Sequence, residues 1–206
     1  MSIEPIVYFV YVLYRVFLRL LLGKKKRSIY SKNIPFYSDL AYAVKRDFRE
    51  DYDTLYGQFN YHDKTVLDIG ADYGSTATFF LIRGAKRVYA IEGNLVLFKR
   101  LRENAKKDRR IHAFHVNISS AKKFTSLFRL HPDIIKVDCE GCEKHLLDIE
   151  NDVFRSVKEY VIETHTKTLY TKFMKKFSEL DYVIQLAGYI SPQVTTFYAV
   201  KGDNIP

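Results

Sequence analysis

Residues Thr65–Gly84 read TVLDIGADYGSTATFFLIRG. The segment opens on a short β-branched run and closes it with Gly70. Apolar residues then recur at helical spacing from Ser75 until Gly84 stops them. A strand, a tight glycine loop and a helix in immediate succession are the first half of a βαβ unit.

Working outward, the alternation continues. RVYAIE (Arg87–Glu92), IHAFHVNIS (Ile111–Ser119), DIIKVD (Asp133–Asp138) and YVIETH (Tyr160–His165) predict strands. NLVLFKRLRENAKK (Asn94–Lys107), AKKFTSLFRL (Ala121–Leu130), CEKHLLDIE (Cys142–Glu150) and KTLYTKFMKKFSEL (Lys167–Leu180) predict helices. YVIQLAG (Tyr182–Gly188) and TTFYAVK (Thr195–Lys201) follow with no helix between them, so they predict an antiparallel hairpin at one edge. Strands alternating with helices specify an α/β fold, a mostly parallel sheet covered by helices on both faces.

In such sheets ligands bind beyond the carboxyl ends of the strands. Gly70 and Gly74 let the first loop turn tightly, and Ser75 and Thr76 present free N–H groups at the helix start. The G-x-x-x-G spacing is not that of a pyrophosphate binder, and Asp72 inside the loop would repel a phosphate. A ligand carrying a positive group fits better. Glu92 ends the second strand at the distance from Gly70 where a carboxylate binds a ribose diol. An acidic loop with a ribose-binding carboxylate describes S-adenosyl-L-methionine.

VLDIGADYGSTATFF, VYAIEGN and IIKVDCEGCEKHLL, followed by YVIETH, resemble the FkbM-type family of S-adenosylmethionine-dependent class I methyltransferases. The resemblance covers Thr65–His165, with D-x-E-G-x-E as its most specific part. It implies a Rossmann-like class I methyltransferase fold with a seven-stranded sheet whose last strand is antiparallel. It also implies methyl transfer to oxygen, on a saccharide, lipid-linked glycan or small metabolite. Cofactor contacts are carried by the resemblance onto Asp68, Gly70, Asp72, Gly74, Glu92 and Asn94. Asn117 falls where relatives touch adenine, although a plain loop Asn explains it equally well. Two residues depart from the family pattern: Asp72 replaces its usual Asn, and Gly93 its usual Pro.

Asp138 and Glu140 should stand where cofactor and acceptor meet. A hydroxyl acceptor needs a base, which Asp138, Glu140 or His165 could supply, and His165 is the first choice. A structural histidine at a strand end is the plain alternative. Glu143 is read as the first residue of the next helix, where a carboxylate suits the dipole. Asp138, Glu140, Glu163 and His165 offer metal-ligand chemistry, but the pattern does not demand an ion and none is expected. Cys139 and Cys142 form a C-x-x-C with no second pair to complete a zinc site. They are expected to be packing thiols, with redox chemistry the lesser reading.

Residues 1–32 carry Arg15, Arg19, Lys24, Lys25, Lys26, Arg27 and Lys32 against Glu4 alone, so most of the net charge of +9 resides there. The apolar run Ile6–Tyr14 is broken by Arg15 and Arg19 and falls short of the ~18 residues of a simple span. Residues 1–27 therefore predict an interfacial helix on an anionic membrane surface, or a helix packed on protein. Residues 28–62 read as a helical lead-in, and 63–206 as the cofactor-binding domain. The expected location is cytoplasmic, peripheral or anchored at the inner face of a membrane. Lys99–Arg110 is a second basic stretch, read as a solvated helix face, which makes RNA the lesser acceptor. A non-catalytic, membrane-tethered binding module is a third reading.

Overall fold

The computed structural model describes residues 52–191 and 194–202. The elements in chain order are α1 (Tyr52–Tyr56), β1 (Thr65–Ile69), α2 (Ser75–Ile82), β2 (Arg87–Glu92), α3 (Leu95–Ala105) and β3 (Ile111–His115). Next come α4 (Ala121–Leu127), β4 (Ile134–Val137), α5 (Asn151–Arg155), β5 (Glu159–Thr164), α6 (Lys167–Glu179), β6 (Tyr182–Ser191) and β7 (Val194–Lys201). Short 3-10 turns cover Phe128–Leu130 and Cys142–Leu146.

The strands form one seven-stranded sheet in the order β3-β2-β1-β4-β5-β7-β6. β1 pairs in parallel with both β2 and β4, so the chain reverses its direction of progress across the sheet between them. That is the topological switch point, where a crevice opens beyond the strand ends. β7 runs antiparallel between β5 and β6. The expected α/β class, parallel majority and terminal antiparallel hairpin are all present.

β1 and β4 are buried along nearly their whole length, as strands covered on both faces must be. One face packs on a cluster that includes Phe124, Phe154, Tyr160, Phe173, Phe177 and Phe197. At about 1.5–3 kcal/mol per buried large side chain, this aromatic layer contributes substantially to stability. Tyr160 keeps its hydroxyl satisfied inside it by donating to the Phe154 carbonyl at 2.7 Å. On the other face α2 is buried almost all round. Tyr61 lies over it, with ring centroids 4.9 Å from Phe80, and the Tyr52 ring meets Phe79 at 5.8 Å.

Two expectations need revision. β3 ends at His115, which leaves Asn117 in the loop that follows. The Cys142–Glu150 helix is a 3-10 turn only, entered from Gly141 at φ 117°. α5 follows it, five residues long and too short to show a helical period. Within the lead-in, Tyr52, Leu55 and Tyr56 are helical as expected, while Leu40, Ala43, Val44 and Phe48 lie outside the described residues. So do residues 1–27, on which the membrane expectation falls. Among the described residues no helix is long and apolar enough to cross a membrane.

Candidate functional site

The site grows from the ends of β1, β2, β4 and β5. Gly70 ends β1 at φ 77°. A Cβ there would lie 1.6 Å from the Asp138 carbonyl oxygen, so only glycine allows the β1 and β4 ends to meet. The close approach that glycine permits here is to the protein's own backbone. Gly70 and Ala71 both donate to the Ile91 carbonyl at 3.0 Å, which ties the loop to β2. Gly74 adopts φ 103° and faces Leu101 of α3.

Asp68 lies fully buried beneath this loop. It accepts from the Thr76 hydroxyl at 2.6 Å and faces the Lys136 ammonium at 3.2 Å. Its carboxylate thus braces the loop on which the cofactor contact was expected. Lys136 is the residue that sequence reasoning passed over. It is 1% exposed, donates to the Gly70 carbonyl at 2.8 Å, and lies 3.7 Å from Asp138. Burial works against its charge, but Asp68 and Asp138 outweigh that and raise its pKa. Its only sequence signal was a lysine inside the apolar run IIKV.

Glu92 is buried and divides its carboxylate between two backbones. Oε2 accepts from Asp72 N–H at 2.9 Å and Oε1 from Asn94 N–H at 2.6 Å. Asp72 holds φ 53°, a left-handed conformation that Asp tolerates better than most residues. The Asn94 side chain caps α3 by accepting from Val96 N–H and Leu97 N–H, so its oxygen serves the helix. Ser75 Oγ pairs with the Tyr52 hydroxyl at 3.0 Å. Asn117 is exposed and sits across from Gly93, where a Cβ would lie 3.5 Å from the Asn117 Cα. Glu92, Asp72 and Asn117 therefore gather on one rim of the crevice.

The other rim centres on His165. Its Nδ1 lies 3.1 Å from Glu143 Oε1. Its Nε2 lies 3.4 Å from Glu140, 3.5 Å from Glu163 and 3.8 Å from Asp138. Four carboxylates thus surround one imidazole. Hydrogen bonds to Glu143 and Glu163 push the His165 pKa up to about 10, against the effect of burial. These contacts favour the protonated ring, whereas the expected role of base requires the neutral one.

Glu143 is corrected as well. It is fully buried, and besides His165 it accepts from Gly141 N–H at 2.7 Å, so it belongs to the cluster. Burial pushes its pKa up, but His165 and backbone N–H groups overcome this and the net shift is downward. Glu163 goes the other way: burial and Asp138 raise it, despite His165. Its Oε2 accepts from Thr196 of β7 at 3.1 Å. Asp138 also accepts from the Tyr56 hydroxyl at 3.4 Å.

Asp138, Glu163 and His165 bring ligand atoms within 4.8 Å of one another, close enough to share one cation. Glu140 stands apart as the accessible member, its side chain 83% exposed. Cys139 and Cys142, expected as packing thiols, are joined in a disulfide. The turn through Glu140 and Gly141 brings the two sulfurs together.

No family model matches this sequence. Uncharacterized protein 65 of a Sulfolobus islandicus filamentous virus is 31% identical over 125 residues, spanning 59% of this chain and 72% of the viral protein. Uncharacterized protein 158B of Sulfolobus islandicus rod-shaped virus 1 is 31% identical over 118 residues, spanning 57% and 71%. The chain belongs to the family of uncharacterized protein 65. Among solved structures, this family member is similar to precorrin-6y C5,15-methyltransferase from Geobacter metallireducens, with a TM-score of 0.54 and 21% identity over 75% of this chain and 88% of that one. It is also similar to Aeropyrum pernix fibrillarin with bound S-adenosyl-L-methionine, with a TM-score of 0.53 and 16% identity over 79% and 74%. A Methanococcus jannaschii fibrillarin, a pre-rRNA processing protein, gives a TM-score of 0.51 and 14% identity over 70% and 69%. At these identities the likeness shows the fold: this member of the protein 65 family has the class I methyltransferase, Rossmann-like fold.

Proposed function

We propose that this chain is an S-adenosylmethionine-dependent methyltransferase of FkbM type that methylates a hydroxyl of a saccharide, lipid-linked glycan or small metabolite. The observation that carries this reading is Glu92. A buried carboxylate at the end of β2 grips the glycine loop through Asp72 N–H and Asn94 N–H, next to the Gly93–Asn117 contact. The donor set suits a cationic ligand: Glu92 and Asp72 line one rim, and Asp138 and Glu140 the other. In this reading Glu92 holds the ribose diol, Asn117 the adenine edge, and Asp138 the amino-acid end. When bound, the cofactor supplies an electrophilic methyl group on a sulfonium.

The chain's own residues then align the acceptor. His165, held as imidazolium, donates to the acceptor oxygen or to the carboxylates around it. Glu140 takes the hydroxyl proton, because it alone of the four carboxylates is largely exposed. Lys136, beneath Asp138 and Gly70, keeps the two rims at a fixed spacing. Alignment supplies most of the rate in such a displacement.

The acceptor is tested by offering methyl-labelled cofactor to cell extracts fractionated into glycan, lipid and RNA. Alkali-stable label in the glycan or lipid fraction supports O-methylation, and label confined to RNA overturns it. One observation favours RNA as a second reading. At the open β2/β3 edge, Tyr89 lies 5.3 Å from His112 and 6.2 Å from Phe114, and the Arg87 guanidinium sits 5.8 Å over Tyr89. His112 and Phe114 are exposed and Tyr89 half-buried, and aromatic rings beside arginine suit stacked bases.

A further inference from the structure

The Cys139–Cys142 disulfide has no part in the mechanism above, yet it lies in the middle of the residues that do. Asp138 and Glu143 flank the bridged segment directly, and Glu140 stands inside it. Three of the four carboxylates around His165 are thus mounted on six consecutive residues, two of which are cross-linked to each other.

The backbone inside the ring is unusual. Glu140 holds φ 55° and Gly141 φ 117°, two left-handed residues in succession. Glycine takes that conformation freely, but glutamate does so only when its surroundings hold it there. A Cβ at Gly141 would meet nothing within 4 Å, so no side chain packs on that side of the turn. The disulfide restrains the turn, and so does the bond from Gly141 N–H to Glu143 Oε2 at 2.7 Å.

Those two restraints meet at one atom. Cys139 Sγ lies 3.6 Å from Glu143 Oε2, the same oxygen that accepts from Gly141. While bridged, the sulfur has no proton to donate. Once reduced, a Cys139 thiol would donate to that oxygen and compete with the Gly141 N–H. Both cysteines are half-exposed, so a small thiol reagent can reach them.

We propose that the Cys139–Cys142 disulfide is a reversible redox modification site whose state sets where Glu140 and Glu143 stand beside His165. The reductant is a dithiol. One of its thiolates attacks a bridge sulfur, the S–S bond breaks, and a mixed disulfide forms while the other cysteine leaves as thiolate. The second thiol then closes the reagent's own disulfide. The net change is two cysteine thiols formed, the dithiol oxidised by two electrons, and its two protons passed to the cysteines. Oxidised, the ring fixes Glu140 toward His165. Reduced, Glu140 relaxes from its left-handed conformation and the acceptor rim loosens. The disulfide chemistry stands without the proposed methyl transfer, and only its consequence for an acceptor rests on that reading.

The test uses the full chain purified without reductant, before and after native treatment with dithiothreitol. Iodoacetamide followed by mass spectrometry should modify neither cysteine before reduction and both after it. Amide exchange at Gly141 should then accelerate by about tenfold, the order expected when a held left-handed turn is released. The His165 ring resonances should move at fixed pH. A Cys139→Ser, Cys142→Ser double variant should match the reduced protein in exchange and resonances, and dithiothreitol should not change it further. Three results would each overturn the proposal: thiols open to iodoacetamide without reduction, cysteines that react only after unfolding, or exchange and resonances unmoved by reduction. Cofactor calorimetry on the same samples separates the two readings. Absence of binding in both redox states refutes the methyltransferase assignment and leaves the redox result standing.

Discussion

Replacing Lys136 with Met isolates the electrostatic role of the residue under the site. Met keeps the length and most of the volume, so little packing is lost. The ammonium is not replaced. It lies 3.2 Å from Asp68 and 3.7 Å from Asp138, and it donates to the Gly70 carbonyl at 2.8 Å and the Ile69 carbonyl at 3.4 Å. Asp68 would keep Thr76 as a partner but lose its counter-charge while fully buried. Removing one partner of a buried pair costs about 3–5 kcal/mol, because the other charge is left uncompensated. Against the usual total of about 5–15 kcal/mol, that is a large fraction. In a domain of this size it lowers the melting temperature by about 6–20 °C. Urea denaturation of wild type, K136M and K136M/D68N measures it. Neutralising the orphaned carboxylate in the double variant should recover part of the loss. If K136M lies within about 0.5 kcal/mol of wild type, the range of an inconsequential surface change, the buried-pair argument fails.

Gly70→Ala should be far worse than Gly141→Ala, since a Cβ meets the Asp138 carbonyl oxygen at 1.6 Å in the first case and nothing within 4 Å in the second. The second should cost only the conformational strain of about 1–3 kcal/mol, and equal melting temperatures for the two would contradict the geometry. His165 has a pKa raised to about 10, so the stability it confers is complete below its unfolded value of 6.5 and is lost as pH rises through 10. His165→Gln should remove that part of the pH dependence, which urea titrations from pH 6 to 10.5 would show; parallel profiles for the two proteins would count against it. The proposed membrane contact predicts flotation of the full chain with anionic liposomes, abolished by deleting residues 1–27. Retained flotation of the truncated form would place the contact elsewhere.

The order and type of the strands were legible because each is a short apolar run closed by a turn residue or a carboxylate. The hairpin was legible because no helical period separates Tyr182–Gly188 from Thr195–Lys201. The segment Cys142–Glu150 was misread because its apolar residues, Leu146, Leu147 and Ile149, allow a helix, where the chain forms a 3-10 turn over Cys142–Leu146. Glu92 could be placed at the end of β2 because it closes the apolar run RVYAIE. Lys136 could not, since a lysine in a buried strand reads as an exception until Asp68 and Asp138 are seen to enclose it. The surroundings of His165 were hidden for a similar reason. Asp138, Glu140 and Glu143 precede it by more than twenty positions, and only the pairing of β4 with β5 brings them to its ring. A strand's existence is written in its own residues, but the charge state of a side chain at its end depends on neighbours from other strands.

The central claim is that the crevice between β1, β2 and β4 binds S-adenosylmethionine through Glu92. Isothermal calorimetry of the cofactor against the wild type and Glu92→Ala tests it most directly. The account predicts saturable one-to-one binding by the wild type and at least about tenfold weaker binding by the variant, the loss expected when a charge-assisted hydrogen bond is removed. Absence of binding by the folded wild type, or equal affinity in the two proteins, would contradict it.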